Sequence, residues 1–346
     1  MMMRTVCSLW FVVMAMVAGE LLGQESGIIG QESGVIRQAN RGTENSELSL
    51  VQRDSELELR DSENVFAKYS FKDDKCKRPF FYNVQAPDGT LLTRSYPPVE
   101  GVDATDHASM HGGIWLAFGD VSGEDFWRNR GRVEHKEFLE LGKEKEGVLR
   151  FRTRSRFITS DDREIGEAIE QYKVVRMGSG YGMSWEADIR PVQVVGEKGL
   201  VFGDQEEMGL GVRMATPLIE KNGGEILNSE GLVKAGETWG KSARWVDYSK
   251  EEGGKRAGVI LIPRKENKRA SWFHNRDYGL MVANMFGRKS LTGGEPSQLE
   301  VRNGESLKVG YVVMWYSMKA TEFGQSQGSR RERLEDMIEE YCDRLR

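Results

Sequence analysis

Residues 47–71 read ELSLVQRDSELELRDSENVFAKYSF. Apolar and polar residues alternate, and the alternation breaks at Asp54-Ser55 and at Asp61-Ser62-Glu63-Asn64. A period of two puts successive side chains on opposite faces of an extended chain, and Asp, Ser and Asn supply turns. The stretch therefore reads as consecutive strands. The same pattern recurs about every dozen residues. It is seen in FFYNVQA, the turn PDGT and LLTRSY, in RVEHKEFLEL and VLRFRTRSRFIT, and in EAIEQYKVV, GSGYG and MSWEADIRPV. It returns in AGVILIP, YGLMVAN and LKVGYVVMWYSM, with no helical period between these runs. An all-β antiparallel sandwich or barrel follows, and the missing βαβ spacing argues against a nucleotide-binding sheet.

One helix is legible, over residues 329–345. Ser329 and Glu332 have capping-box spacing, and Leu334, Met337, Ile338, Tyr341 and Leu345 then share one face. Residues 47–346 are expected to form a single β-sandwich domain with this helix packed on it.

The N-terminus, residues 1–19, reads as a secretory signal. Arg4 precedes an apolar stretch over residues 6–18, and small residues Ala18 and Gly19 follow. Nothing later is apolar enough to span a bilayer, so a secreted or periplasmic protein without stable membrane insertion is expected. Residues 20–46 repeat GQESGII as GQESGVI and read as a flexible, low-complexity tether. Cys7 would leave with the signal; Cys76 and Cys342 remain and could pair in an oxidising compartment, but they make no framework. Net charge is −5 with the signs well mixed, which excludes nucleic acid as a partner.

Residues 106–127, DHASMHGGIWLAFGDVSGEDFW, hold two of the four histidines, two of the eight tryptophans, three aspartates and four glycines. Such crowding is more than a strand and a turn require. Here His107 and His111 would move protons, Trp115 and Trp127 would frame a sugar, and Asp120 and Asp125 would bind hydroxyls or orient the histidines. Other clusters offer His274, Arg276 and Asn284 in ASWFHNRDYGLMVANMFG, Glu207 and Arg213 in DQEEMGLGVRM, and Arg244 and Trp245 in WGKSARWVDY. His135 completes the set. Flat indoles beside directional polar groups suit carbohydrate. No cofactor is called for; the His107–His111 spacing with Asp106 also admits a divalent metal as an alternative.

FFYNVQAPDGTLLTRSYPP, DATDHASMHGGIWLAFGDVSGEDFW, VEH, EMGLGVR, ARWVDY and FHNRDYGLMVANMFG together resemble the PmoA-like domain family, over residues 46–316. That resemblance implies a galactose-mutarotase-like supersandwich. It also implies a histidine acid and a glutamate base working on a sugar ring, with His107 or His111 and Glu207 in those roles. The chain departs from the family pattern at Ser109-Met110-His111, where relatives carry a histidine pair and an arginine. The family's label, methane oxygenase, names a multi-span membrane protein and does not fit a chain without spanning segments. The expectation is an exported carbohydrate-active isomerase, lyase or hydrolase. A non-catalytic glycan-binding protein is the alternative, and a metal-dependent oxidoreductase a third.

Overall fold

The alternation in residues 47–71 folds as three antiparallel strands, Leu48–Gln52, Glu56–Asp61 and Asn64–Ser70. They open an eight-stranded sheet that continues through Phe80–Tyr82, Ile114–Phe118, Met208–Arg213, Leu280–Asn284 and Trp272–Asn275. A second eight-stranded sheet runs Glu225–Asn228, Val246–Glu252, Lys255–Pro263, Leu307–Lys319, Gly180–Pro191, Glu164–Met177, Leu149–Ile158 and Arg132–Lys143. All ladders in both sheets are antiparallel. The computed structural model describes residues 47–143, 147–192 and 199–344. The expected signal and tether, residues 1–46, lie outside the described residues. None of the described helices is long and apolar enough to cross a membrane.

The pleat sorts side chains between three apolar clusters. The main core lies between the sheets and joins Phe81, Ile114, Phe118, Leu210, Val212 and Met281 from the first to Phe151, Tyr172, Trp185 and Val313 from the second. The intervening residues of the first sheet, Trp115, Ala117, Leu280 and Val282, face the other way and pack with Cys76, Phe80 and Trp127. That outer face of the first sheet carries the candidate site.

On the outer face of the second sheet, Val175, Trp245, Met314 and Tyr316 meet Leu334, Met337 and Tyr341 of the helix Gln327–Arg344. This helix begins two residues earlier than its sequence suggested. Ser326, not Ser329, is the cap: its hydroxyl accepts from the Ser329 N–H at 3.1 Å, and the Ser329 hydroxyl accepts from the Ser326 N–H at 3.1 Å. A serine three residues on thus replaces the expected glutamate. Arg330 of the first turn anchors the helix through an ion pair with the fully buried Asp247 at 2.5 Å. The remaining described α-helices are single short turns, Ala235–Thr238 and Arg288–Thr292. Cys76 is buried on the first sheet, Cys342 is exposed on the C-terminal helix, and both thiols are free.

Candidate functional site

The site is built from a loop folded onto the outer face of the first sheet. Residues 104–111 precede the strand Ile114–Phe118 and turn back over it. His107 takes a left-handed backbone (φ 51°), costly for a non-glycine residue. Its carbonyl accepts from the N–H groups of Met110 and His111, each at 2.9 Å. Two buried arginines hold the turn. Arg94 donates to the carbonyls of Ala104 (2.9 Å), Asp106 (2.6 Å) and His111 (2.8 Å). Arg78 donates to the carbonyls of Phe126 (3.1 Å), Trp127 (2.9 Å) and Met110. Five N–H donors in a fixed plane suit a guanidinium to this bracing.

The two histidines of the turn sit in a stack of four rings, each within about 18° of the next. Tyr278 stacks on His107 (centroids 6.2 Å apart), His107 on His111 (4.8 Å) and His111 on Trp115 (4.9 Å). Trp115 rests on the backbone of Gly211, where a Cβ would meet the indole at 2.7 Å and Trp127 at 3.0 Å. Glycine is required there because the Trp115 indole rests against the strand, with the Trp127 ring tilted 64° to it and also in contact. Arg213, next on the same face, packs its guanidinium 4.7 Å from the Tyr278 ring centre. It grips both oxygens of Asp106, at 2.7 and 2.9 Å, and donates to His111 Nδ1 at 3.3 Å.

These contacts assign proton positions. A guanidinium only donates, so His111 Nδ1 accepts and its proton lies on Nε2. Burial first, then the charges of Arg213, His107, Arg78 and Arg94, depress the His111 pKa to about 2. Asp106 is opposed by burial, yet hydrogen bonds from Arg213 and His107 and the charges of Arg213 and Arg94 hold its carboxyl well below the usual range. Its Oδ2 meets His107 Nδ1 at 2.9 Å. The His107 ring is 41% exposed, and among the described residues no side chain bonds its Nε2.

Beside this stack lies a second group. Glu207, at the end of the loop leading into Met208–Arg213, pairs with Arg128 and is mostly buried. Burial outweighs Arg128 and, with Glu206 and Asp125 adding repulsion, raises its pKa; His107 pulls the other way. Arg128 also reaches Asp125 Oδ2 at 3.0 Å and Gln205 Oε1 at 3.3 Å. His274 Nε2 accepts from Arg276 Nε at 3.0 Å, and its Nδ1 faces Glu206 at 3.6 Å. Burial, then Arg276 and Arg128, lower the His274 pKa to about 3. Tyr278 links the two groups: burial raises its hydroxyl pKa, with Arg213, Arg276, Glu207 and Asp106 all in electrostatic reach.

The structure thus brings His107, His111, Glu207, His274, Arg213, Arg276 and Asp125 to one face, but with altered roles. His111 and His274 are buried and held neutral, so neither is poised to carry protons near neutral pH. Trp115 and Trp127 are 0% exposed; they are the floor beneath His111 and offer no ring face to a sugar. Asp125 caps its own turn, accepting from the N–H groups of Trp127 (2.9 Å) and Arg128 (2.8 Å).

Other expected residues do not join the site as ligand contacts. Asn284 is buried and its amide clamps the carbonyls of Gln205 (2.6 Å) and Glu206 (3.1 Å), fixing the loop that carries Glu207. Asp120 caps a turn through the Gly123 N–H at 2.9 Å. His135 belongs to the second sheet, packed on Phe71 and Phe138. Arg244 and Trp245 also belong to that sheet's side, both bonded to Glu335 of the C-terminal helix. Their mixture of aromatic and charged residues is helix-docking chemistry.

Sequence reasoning missed Tyr278, Arg128, Arg78 and Arg94. Tyr278 had a signal: His274, Arg276, Tyr278, Leu280 and Val282 are spaced by two through the hairpin that carries His274.

A family model described as "Family of unknown function (DUF6807)" matches residues 56–324. The chain belongs to DUF6807. This match overturns the resemblance to the PmoA-like domain family. No curated protein matches the chain. The DUF6807 chain is similar in structure to the Slr1438 protein from Synechocystis sp. PCC 6803. Identity is 12%, 78% of this chain and 97% of that chain are covered, and the TM-score is 0.36. It is also similar to the galactosidase domain of alpha-galactosidase-sucrose kinase, AgaSK, at 9% identity, with 78% of this chain and 42% of that chain covered and a TM-score of 0.34. The chain therefore spans under half the length of that second protein.

Proposed function

We propose that the outer face of the first sheet is a carbohydrate site in which His107 and Glu207 exchange protons with a sugar or glycoside. One observation carries the reading. His107 is half exposed and fixed through Nδ1 to an Asp106 that Arg213 holds in place, while a neighbouring carboxyl, Glu207, is pushed toward its protonated form. A positioned histidine beside a carboxyl pushed toward its protonated form is what an acid–base pair needs. His107 Nε2 is the proton acceptor and Glu207 the donor. Asp106, Arg128, Glu206 and Arg276 form a half-exposed rim of directional hydrogen-bonding groups, and Tyr278 adds a ring edge and a hydroxyl. Isomerase, lyase and hydrolase chemistry all use such a pair. The protein would act outside the cytoplasm, as the signal-like residues 1–19 suggest.

The neutrality of His111 and His274 favours a second reading, glycan binding without turnover, since it removes two of the expected proton carriers. A divalent metal at Asp106, His107 and His111 suits the residues poorly. Both Asp106 oxygens and His111 Nδ1 already face Arg213, and a cation there would meet a fixed positive charge. Among the described residues no three His, Cys, Asp or Glu side chains are grouped as a metal site.

The test is turnover on a panel of free sugars and glycosides, followed by proton NMR of anomers and released reducing ends. His107→Ala and Glu207→Gln are each expected to lose at least about a hundredfold with melting temperature nearly unchanged. Binding without turnover in the wild type would select the second reading. Full activity in either variant would remove the acid–base pair.

A further inference from the structure

The indoles of the protein fall into two groups. Trp115, Trp127, Trp185, Trp245 and Trp315 are at most 1% exposed. Among the described residues, only Trp239 and Trp272 keep part of the ring in solvent. Both lie at one edge of the face that carries His107. Trp272 and His274 are two apart on the edge strand Trp272–Asn275, so the pleat points them to the same side. That side is the outer one, since His274 pairs with Val282 of the outer cluster. Trp239 ends the helical turn Ala235–Thr238, and the chain after it runs along the edge strand. The Gly240 N–H donates to the Phe273 carbonyl at 2.7 Å, and the Phe273 N–H to the Lys241 carbonyl at 2.9 Å. The Trp239 ring thereby comes within 6.5 Å of the His274 ring and 5.9 Å of the Arg276 guanidinium.

A row of side chains joins Trp239 to the acid–base pair. Arg276 reaches Glu206 at 3.5 Å, Tyr278 lies in electrostatic reach of Arg276 and Glu207, and Tyr278 stacks on His107. Residues 240–242 add a further ladder position to the sheet, beyond Trp272–Asn275. The order inward from there is Trp272–Asn275, Leu280–Asn284 and Met208–Arg213, the strand that Glu207 precedes. Three spacings of about 4.8 Å make a backbone separation of roughly 14 Å between the segment after Trp239 and the strand after Glu207. One pyranose ring covers about one strand spacing, so a single sugar held by His107 and Glu207 leaves the indole to a neighbouring unit. The arginines along the row are matched by carboxylates: Arg276 by Glu206, Arg128 by Asp125 and Glu207, and Arg94 and Arg213 by Asp103 and Asp106. The row therefore suits hydroxyls and calls for no net charge on the ligand.

Building on the carbohydrate reading above, we propose that the ligand is a neutral oligosaccharide, with one ring at Tyr278 and His107 and a neighbouring, unreacting ring packed on the Trp239 indole. Arg276 and Glu206 bind hydroxyls between the two. A flat, partly exposed indole bordered by paired charges supplies both the apolar contact and the directional hydrogen bonds that a sugar ring takes. Trp239 thus fills the role that Trp115 and Trp127, fully buried, do not.

Isothermal titration calorimetry on the full chain tests this with sugars of increasing length: glucose with its β-1,4-linked and α-1,4-linked di- and trisaccharides, and galactose with its β-1,4-linked ones. Within a series that binds, affinity is expected to rise about tenfold from the single sugar to the trisaccharide. Trp239→Ala should erase this gain, so that all lengths bind alike, and Trp239→Phe, which keeps a flat ring, should restore most of it. Tryptophan emission should shift when the trisaccharide binds the wild type and stay unchanged in Trp239→Phe. The dependence on length in the wild type, and the emission of the phenylalanine variant, are read even if the alanine variant fails to fold. Equal affinity for single sugars and trisaccharides overturns the oligosaccharide and leaves the carbohydrate reading standing. A gain with length that survives in Trp239→Ala overturns the indole platform. No binding by any member of any series overturns the carbohydrate reading as well.

Discussion

Substitution of Gly211 by alanine probes the floor of the site. The new Cβ would lie 2.7 and 2.8 Å from two atoms of the Trp115 indole and 3.0 Å from Trp127. Ordinary carbon contact begins near 3.4 Å, so Trp115 must rise by about 0.7 Å. The indole cannot rise freely, because the His111 ring is stacked on it at 4.9 Å and His107 on His111 at 4.8 Å. Overpacking of this kind costs about 1–3 kcal/mol, or about 2–12 °C in melting temperature for a domain of this size. Function should suffer more than stability. A displacement approaching 1 Å passed to His107 would lower turnover by about a hundredfold, through a residue that touches no ligand. Calorimetric melting and the sugar-panel assay on Gly211→Ala measure both. An unchanged melting temperature together with unchanged turnover would refute the reasoning, since the indoles would then not rest on the strand as described.

Three further outcomes are expected. His111 and His274 have folded pKa values of about 2 and about 3, below the ordinary 6.5. The unfolded chain therefore takes up protons there as pH falls below about 6.5 while the folded chain does not. Stability is full above that pH and should fall by up to about 1.4 kcal/mol per pH unit for each histidine; urea melts at pH 7 and pH 5 check this, with a shallower fall in His274→Asn. Arg330→Ala strands the fully buried Asp247 and should cost about 3–5 kcal/mol, while ligand affinity per folded molecule stays the same; denaturant melts and titration calorimetry separate the two. Burial raises the Cys76 thiol pKa, so alkylation of the native protein with peptide mapping should label Cys342 and spare Cys76; prompt labelling of Cys76 would mean that the face above it opens.

The fold was largely legible because one rule governs it. Alternation such as LELRDSENVFAKYS places Leu57, Leu59, Ala67 and Tyr69 in the core, each break fell at a turn, and a bulge at Leu59–Arg60 brings Phe66 inside as well. The site was legible only in part. The crowding around His107 and His111 and the glutamate before Met208 mark real neighbours, because both flank adjacent strands, Ile114–Phe118 and Met208–Arg213. Burial was not legible. Nothing in the sequence says that Gly211 lets Trp115 stack under a histidine with Trp127 edge-on beside it, so their indoles read as sugar platforms. Arg78 and Arg94 escaped notice because their partners are mostly backbone carbonyls, which leave no residue-type signature. Arg244 and Trp245 misled for the opposite reason: the carboxylate that explains them, Glu335, lies about ninety residues away on the C-terminal helix.

The most direct test of the account is diffraction from crystals of the chain soaked with a neutral sugar. The account predicts a sugar ring at the edge of Tyr278, with an oxygen within hydrogen-bond distance of His107 Nε2 and another near Glu207. Density for the sugar elsewhere, such as the cleft lined by Arg152, Glu186, Arg264 and Lys308 on the second sheet, with the His107 face empty, would contradict it.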